Sequence, residues 1–149
     1  MAKKTFKGRP LIPGNLEGKA LASKQPFNTS GSYLENLFGG KTDGAPCTDA
    51  VNKEFYKKEL AGAILCFPTT VGSTMGGVSL MGVGFLGQGP KAMLYAEHAD
   101  SVSLAGLLMD DIWNGRRVIT IDLLGDEFLE AVKTGDPIAI HEDGTVEVG

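Results

Sequence analysis

The sequence predicts a single mixed α/β domain, a small barrel or sandwich flanked by helices, and three observations carry that expectation. Strand-like segments stand at both ends of the chain, strand and helix patterns alternate between them, and 149 residues suffice for one core but not for two ordinary domains. A composition of 42% apolar and 21% charged residues is that of a soluble globular chain, which excludes a disordered tail or a fibrous repeat.

The elements follow in order. Residues 5–12 mix β-formers with charges and end at Pro13-Gly14, a turn signal, so they read as a strand, and residues 18–22 read as a short returning one. Residues 25–47 carry Pro, Asn, Ser and Gly without a sustained period, which predicts a long irregular excursion of the kind that often has a function. Residues 53–60 are a charged turn or short helix, and 61–67 are a nearly continuous apolar run suited to a strand buried on both faces. Pro68 stops that strand. Residues 91–96 read as a further strand, and 101–113 place Val102, Leu104, Ala105, Leu107, Leu108 and Ile112 at helical intervals, with Asp100 or Ser101 as N-cap. A β-rich run at 116–122 precedes a short amphipathic helix at 126–133 that ends by Gly135. The tail, 136–141 and 145–148, is a hairpin turning at Glu142-Asp143-Gly144.

Charge and cysteine usage narrow the function classes. Fourteen basic and eighteen acidic side chains leave a net charge of −4, so no field draws in phosphate backbones or acidic membranes, and nucleic acid is not an expected partner. The basic run Lys3, Lys4, Lys7, Arg9 is interleaved with Thr5, Phe6 and Gly8 and lacks a following apolar segment, unlike a signal peptide. No uncharged apolar stretch approaches the roughly 20 residues of a membrane span, so a cytoplasmic protein is expected. Cys47 and Cys66 form no CxxC and have no neighbouring histidine, which points away from a metal site in this chain. Cys66 reads as inert core, Cys47 as a loop thiol in a polar segment.

The inventory of catalytic groups is thin. His98 and His141 read as solvated residues, Asp110-Asp111 as the solvated face of a helix, and Asp122 and Asp126 as helix-capping residues. The unusual feature is glycine: 21 residues, seven of them (Gly72, Gly76, Gly77, Gly82, Gly84, Gly87, Gly89) between Val71 and Pro90. A buried strand ending at Pro68, then Gly72-Ser73-Thr74 stepping into a possible helix, is an arrangement that exposes backbone N–H groups able to hold an anion beside Ser73. It matches neither a P-loop, lacking the lysine, nor the dinucleotide fingerprint, nor a swivelling phosphohistidine motif, since Leu80 follows Gly76-Gly77-Val78-Ser79. On physics alone an ordinary N-cap followed by a tightly packing helix explains it equally well.

The ordered set Phe6-Lys7-Gly8-Arg9, Pro13-Gly14, Gly18-Lys19-Ala20, Phe38-Gly39-Gly40, Leu60-Ala61-Gly62, Phe67-Pro68, Gly72-Ser73 and Thr134-Gly135-Asp136 resembles the small subunit of aconitase X, the swivel-domain family of aconitase-like hydro-lyases. The resemblance runs through nearly the whole chain. It implies a swivelling β/β/α domain over residues 1–149, closing over a large subunit that carries an iron or iron–sulfur centre. It also implies elimination of water from a small hydroxy acid, with Ser73 as general base, Gly72 and Thr74 at the substrate, and the loop at Phe38, Gly39 and Gly40 lining the cleft. Members of the family dehydrate cis-3-hydroxy-L-proline or phosphomevalonate. Many carry a basic residue before the Gly-Ser step where Val71 stands here, and a phosphate calls for positive charge, so cis-3-hydroxy-L-proline is the expected substrate. A non-catalytic module that captures an anion or a partner carboxylate at Gly72-Ser73 is the contrasting expectation.

Overall fold

The computed structural model describes residues 2–149. Its strands β1 (Lys4–Lys7), β2 (Arg9–Ile12), β3 (Leu16–Ala22), β5 (Ile64–Phe67), β7 (Ala92–Tyr95), β8 (Ile119–Asp122), β9 (Pro137–Ile140) and β10 (Thr145–Val148) form one eight-stranded sheet in the order β1-β10-β9-β3-β5-β7-β8-β2. The single strand expected over 5–12 is therefore two. β1 pairs with β10 and β2 with β8, at opposite edges of the sheet, although only Gly8 separates them in the chain. The sheet must curl nearly into a barrel for one residue to join its two edges. At that seam Gly8 N–H donates to Gly144 O at 2.9 Å, and a Cβ on Gly8 would meet the Asp122 carbonyl at 2.5 Å.

The central strands β3, β5, β7 and β8 run parallel, and two crossovers are helical: α2 (Gly76–Phe85) joins β5 to β7, and α3 (Ser101–Asn114) joins β7 to β8. All four residues of each of β5, β7 and β8 are buried, as the apolar run at 61–67 predicts for a strand covered on both faces. Alternation splits the core in two. Ile64, Cys66, Ala92, Leu94 and Ile121 face the barrel interior with Ile138, Ile140, Val146 and Val148, whereas Leu65, Phe67, Met93 and Tyr95 pack under the helices. The short helix α4 (Asp126–Ala131) adds Phe128 to the interior cluster, where its ring meets Phe6 edge-on at 5.5 Å.

The long excursion is ordered rather than loose. It contains β4 (Phe27–Asn28), a 3-10 turn (Gly31–Tyr33) and α1 (Leu34–Leu37), and β4 pairs in parallel with β6 (Thr70–Val71), a two-residue strand just beyond Pro68. Aromatic rings fasten it down. Phe27 contacts Tyr33, Phe55 and Phe67 with centroids 6.0, 5.8 and 5.4 Å apart, and Phe67 continues to Tyr95 at 4.8 Å. Cys47, expected as a loop thiol, is buried in this cluster. Its N–H donates to Lys58 O, and burial pushes its thiol above the usual range. Of residues 53–60, expected as a charged turn or short helix, 53–57 form turns and Glu59 makes an isolated antiparallel bridge with Pro46.

Gly77 and Gly84 of α2 are explained by α3, whereas Gly76 abuts Thr29 and Gly82 abuts Leu37. A Cβ on Gly77 would collide with Val102 O, and one on Gly106 with the Gly77 backbone, so the two helices touch main chain to main chain. Asp110, expected on a solvated face, is instead buried under this contact, ion-paired to Arg116 Nη2 at 2.6 Å and beside Gly84, whose Cβ would sit 2.6 Å from its carboxylate. The fold overrides the helical pattern because Gly84 leaves room for a carboxylate.

Asp122 and Asp126 also depart from expectation. The N-cap of α4 is Gly125 and no side chain caps it, while Asp126 is the first helical residue, placed where its charge suits the helix dipole. Asp122 is fully buried at the end of β8, gripped by Arg9 Nε at 2.9 Å and Nη2 at 2.7 Å, and it accepts the Ala99 N–H at 2.9 Å. Burial opposes its charge, but the Arg9 and Ala99 hydrogen bonds outweigh that and hold the carboxyl below the usual range. The Arg9 side chain is half exposed, so the pair is partly screened.

Two outcomes follow. Gly106→Ala forces α2 and α3 apart and lowers stability by about 1–3 kcal/mol, read by urea unfolding; an unchanged midpoint would contradict the backbone contact. Because the Asp122 carboxyl is lowered in the folded state, its contribution is complete above the unfolded value near pH 4 and is lost as pH falls below it. Arg9→Met therefore destabilises clearly at pH 7, and the difference from wild type shrinks in unfolding measured below about pH 4.

Candidate functional site

The seven-glycine stretch begins where β5 has ended and the short β4–β6 pair gives out. Thr29 N–H donates to Val71 O at 3.1 Å, after which Gly72 and Ser73 both take positive φ, +93° and +31°. Gly72 has no alternative, since a Cβ there would collide with the Asn28 carboxamide, itself fixed by the Gly31 N–H at 2.8 Å. A serine with positive φ is strained, and such strain persists only where the surroundings impose it. The turn delivers the chain to α2, whose N-cap is Met75 without a side-chain cap, so Ser73 stands two residues ahead of the N-cap rather than at it.

Ser73 is exposed, and its Oγ accepts the Met75 N–H at 3.1 Å and lies 3.2 Å from Ser30 Oγ. Ser30 Oγ is in turn 2.9 Å from Ser79 Oγ, which is buried on α2. Three hydroxyls from two distant chain segments thus form a line that ends at Ser73.

Gly72, Ser73 and Thr74 line a cleft of about 300 Å³ together with Thr70, Asp100 and Val102. Asp100, one of the two N-caps the helix pattern allows, caps α3 by accepting Ser103 N–H at 2.9 Å, and it is also hydrogen-bonded to the Thr70 and Ser103 hydroxyls. Tyr95 extends this network, its hydroxyl 2.9 Å from Ser103 Oγ. Burial favours the neutral acid at Asp100, but the hydroxyl and N–H donors prevail and hold it below the usual carboxylate range. The cleft therefore carries a negative charge at neutral pH, and neither lysine nor arginine lines it.

The structure brings Gly72, Ser73 and Thr74 together at this cleft, but Phe38, Gly39 and Gly40 do not line it. They follow α1, with Phe38 81% exposed, and α1 packs on α2 where Leu37 approaches Gly82. Asn28, Ser30, Thr70 and Asp100 are the site residues that sequence reasoning missed. Ser30 and Ser73 are 43 positions apart, and no local pattern signals that they meet; a polar Asn28-Thr29-Ser30 step inside an otherwise featureless excursion was the only available hint.

Among the described residues no three His, Cys, Asp or Glu side chains gather where they could hold a metal, and His98 and His141 are both exposed. No helix among them is long and apolar enough to cross a membrane.

Comparison with known proteins identifies the family and the fold. The family model of the aconitase X swivel domain matches residues 5–148. The phosphomevalonate dehydratase small subunit of Archaeoglobus fulgidus is 31% identical over 145 residues, spanning 96% of this chain and 97% of its own. The protein of the same name from Thermococcus gammatolerans is 31% identical over 144 residues, 96% of each chain. The crystal structure of Thermococcus kodakaraensis aconitase X in its holo form superposes with a TM-score of 0.77 at 26% identity, covering 98% of both chains.

Proposed function

The chain belongs to the aconitase X swivel domain family, and from that premise we propose that it is the small subunit of a two-subunit hydro-lyase, inactive alone, in which Ser73 removes the proton next to a carboxylate or imine. The observation that carries this reading is the placement of Ser73: exposed at a cleft, on a strained turn, with its oxygen already accepting one backbone donor. A serine acts as base only when its oxyanion is stabilised, and fixed donors aimed at that atom provide such stabilisation. Gly72 allows the backbone to come close to the substrate, and Thr74 offers it a hydroxyl.

The described residues do not fit an iron or iron–sulfur centre. In this reading the centre belongs to the large subunit, and this chain's part is to position the base and shape one wall of the cleft. Phe38, Gly39 and Gly40 then reach the substrate only across the closed interface between the subunits. The outer face of α2 and α3 supports the same partner. An apolar groove of about 370 Å³ lined by Val78, Met81, Ala105 and Met109 contains no charged side chain and shares Thr74 and Val102 with the Ser73 cleft. Phe85 and Trp113, 77% and 73% exposed, extend the apolar surface of the two helices.

For the substrate, the charge of the cleft favours cis-3-hydroxy-L-proline. Its ring ammonium suits the ionised Asp100, whereas a phosphate would meet a carboxylate and no cation on this chain. The names of the similar archaeal relatives favour phosphomevalonate as the second reading, with the phosphate held by the large subunit.

The complex reconstituted from both subunits is expected to form an unsaturated, absorbing product from cis-3-hydroxy-L-proline and not from phosphomevalonate; the reverse result selects the second reading. Ser73→Ala lowers kcat by about 100-fold or more, and near-wild-type turnover by that variant would remove Ser73 from the mechanism. Val78→Glu combined with Met109→Glu abolishes co-purification with the large subunit while the isolated chain keeps its melting curve. A complex that survives both changes places the interface elsewhere.

A further inference from the structure

We propose that Ser30, backed by Ser79, is a positioning residue that donates a hydrogen bond to Ser73 Oγ and so stabilises its deprotonated form. This rests on the reading of Ser73 as the base and goes one step beyond it. The geometry is specific. Ser73 Oγ has two polar neighbours, the Met75 N–H at 3.1 Å, which only donates, and Ser30 Oγ at 3.2 Å, which can donate or accept. When Ser73 is protonated, its hydroxyl can donate to Ser30. When it is deprotonated it accepts only, so the Ser30 hydroxyl turns to donate to it.

That reversal leaves Ser30 Oγ needing a donor of its own, and Ser79 Oγ lies 2.9 Å away on α2. Ser79 is 6% exposed, so its hydroxyl has little water to prefer over Ser30. The three hydroxyls then align as successive donors, Ser79 to Ser30 to Ser73, and each bond polarises the next. Two donors on one oxygen, one from the backbone and one from a side chain, make up an oxyanion-stabilising pair. Ser30 is held for this role by its surroundings. It lies two residues beyond the end of β4, and Asn28 and Thr29, its two predecessors, are tied to Gly31, Val71 and Gly72.

Two measurements separate this inference from the reading beneath it. The first uses a thiol as a reporter at position 73 and needs no turnover. In the Ser73→Cys chain the native Cys47 and Cys66 are buried at 1% and 0% exposure, so alkylation by iodoacetamide reports the introduced thiol. Its rate against pH gives the apparent thiol pKa. Adding Ser30→Ala is expected to move that pKa upward by about half a pH unit or more, adding Ser79→Ala to move it less in the same direction, and adding Ser30→Thr, which keeps the hydroxyl, to leave it in place. An unmoved pKa in the Ser30→Ala background overturns the proposal whatever the complex turns out to catalyse.

The second measurement uses the reconstituted complex. Ser30→Ala is expected to lower kcat about 10- to 100-fold with little change in KM, and to shift the rising alkaline limb of the kcat profile to higher pH, while Ser30→Thr restores both. If Ser73→Ala abolishes turnover but Ser30→Ala leaves the rate and the pH profile unchanged, Ser30 has no such role. If Ser73→Ala itself leaves turnover intact, the reading of Ser73 as base has failed instead.

Discussion

The contact between Gly77 and Gly106 brings two helix backbones together with no side chain between them, and that spacing sets where the first turns of α2 and α3 lie. The turn entering α2 carries Ser73, and the N-cap of α3 is Asp100. Were the helices held at the usual 8–10 Å by interposed side chains, these two termini would diverge and the cleft lined by Ser73, Thr74, Asp100 and Val102 would open into a shallow surface. The glycines at this helix contact are therefore a packing device first. Its cost in helix propensity, about 1 kcal/mol for each glycine, is offset by contacts that larger residues cannot make.

A second constraint acts through charge. Asp122 is buried at the end of β8, between the Arg9 guanidinium and the Ala99 N–H. Arg9 opens β2, the strand that follows the barrel seam, and Ala99 precedes Asp100, so one carboxylate ties the closure of the sheet to the rim of the cleft. Asp100 then organises Thr70 and Ser103 by hydrogen bonds. Both aspartates are weak bases, since the donors around each hold its carboxyl below the usual range and so disfavour proton uptake. In the proposed reaction the Asp100 charge lies in the cleft that Ser73 lines, and the donors around Ser73 Oγ have to offset it.

In the proposed reading the cleft is half of a site. It has a strained turn, a serine with aligned donors and an acidic rim, yet no cation and no metal-holding group line it among the described residues. A family whose relatives are named small subunits accounts for that economy. The uncharged groove running on from the cleft along α2 and α3 is the surface on which the proposed large subunit would dock.

The sequence by itself determined the secondary elements with strong local causes. The buried run ending at Pro68, the Asp100 cap, the Asp-Gly hairpin and the short helix after Gly125 each follow from periodicity or turn chemistry within a few residues, and the ordered motif set identified Gly72-Ser73 as the point of interest. Only the tertiary structure decided the rest. That one expected strand is two, meeting opposite edges of the sheet, depends on barrel closure, which no window of sequence contains. That Cys47, Asp110 and Asp122 are buried depends on partners that come from other elements, among them Lys58, Gly84 and Arg9. The Ser30 hydroxyl reaches Ser73 across 43 positions because β4 pairs with β6, and a hydrogen bond between distant segments leaves no trace in either segment alone.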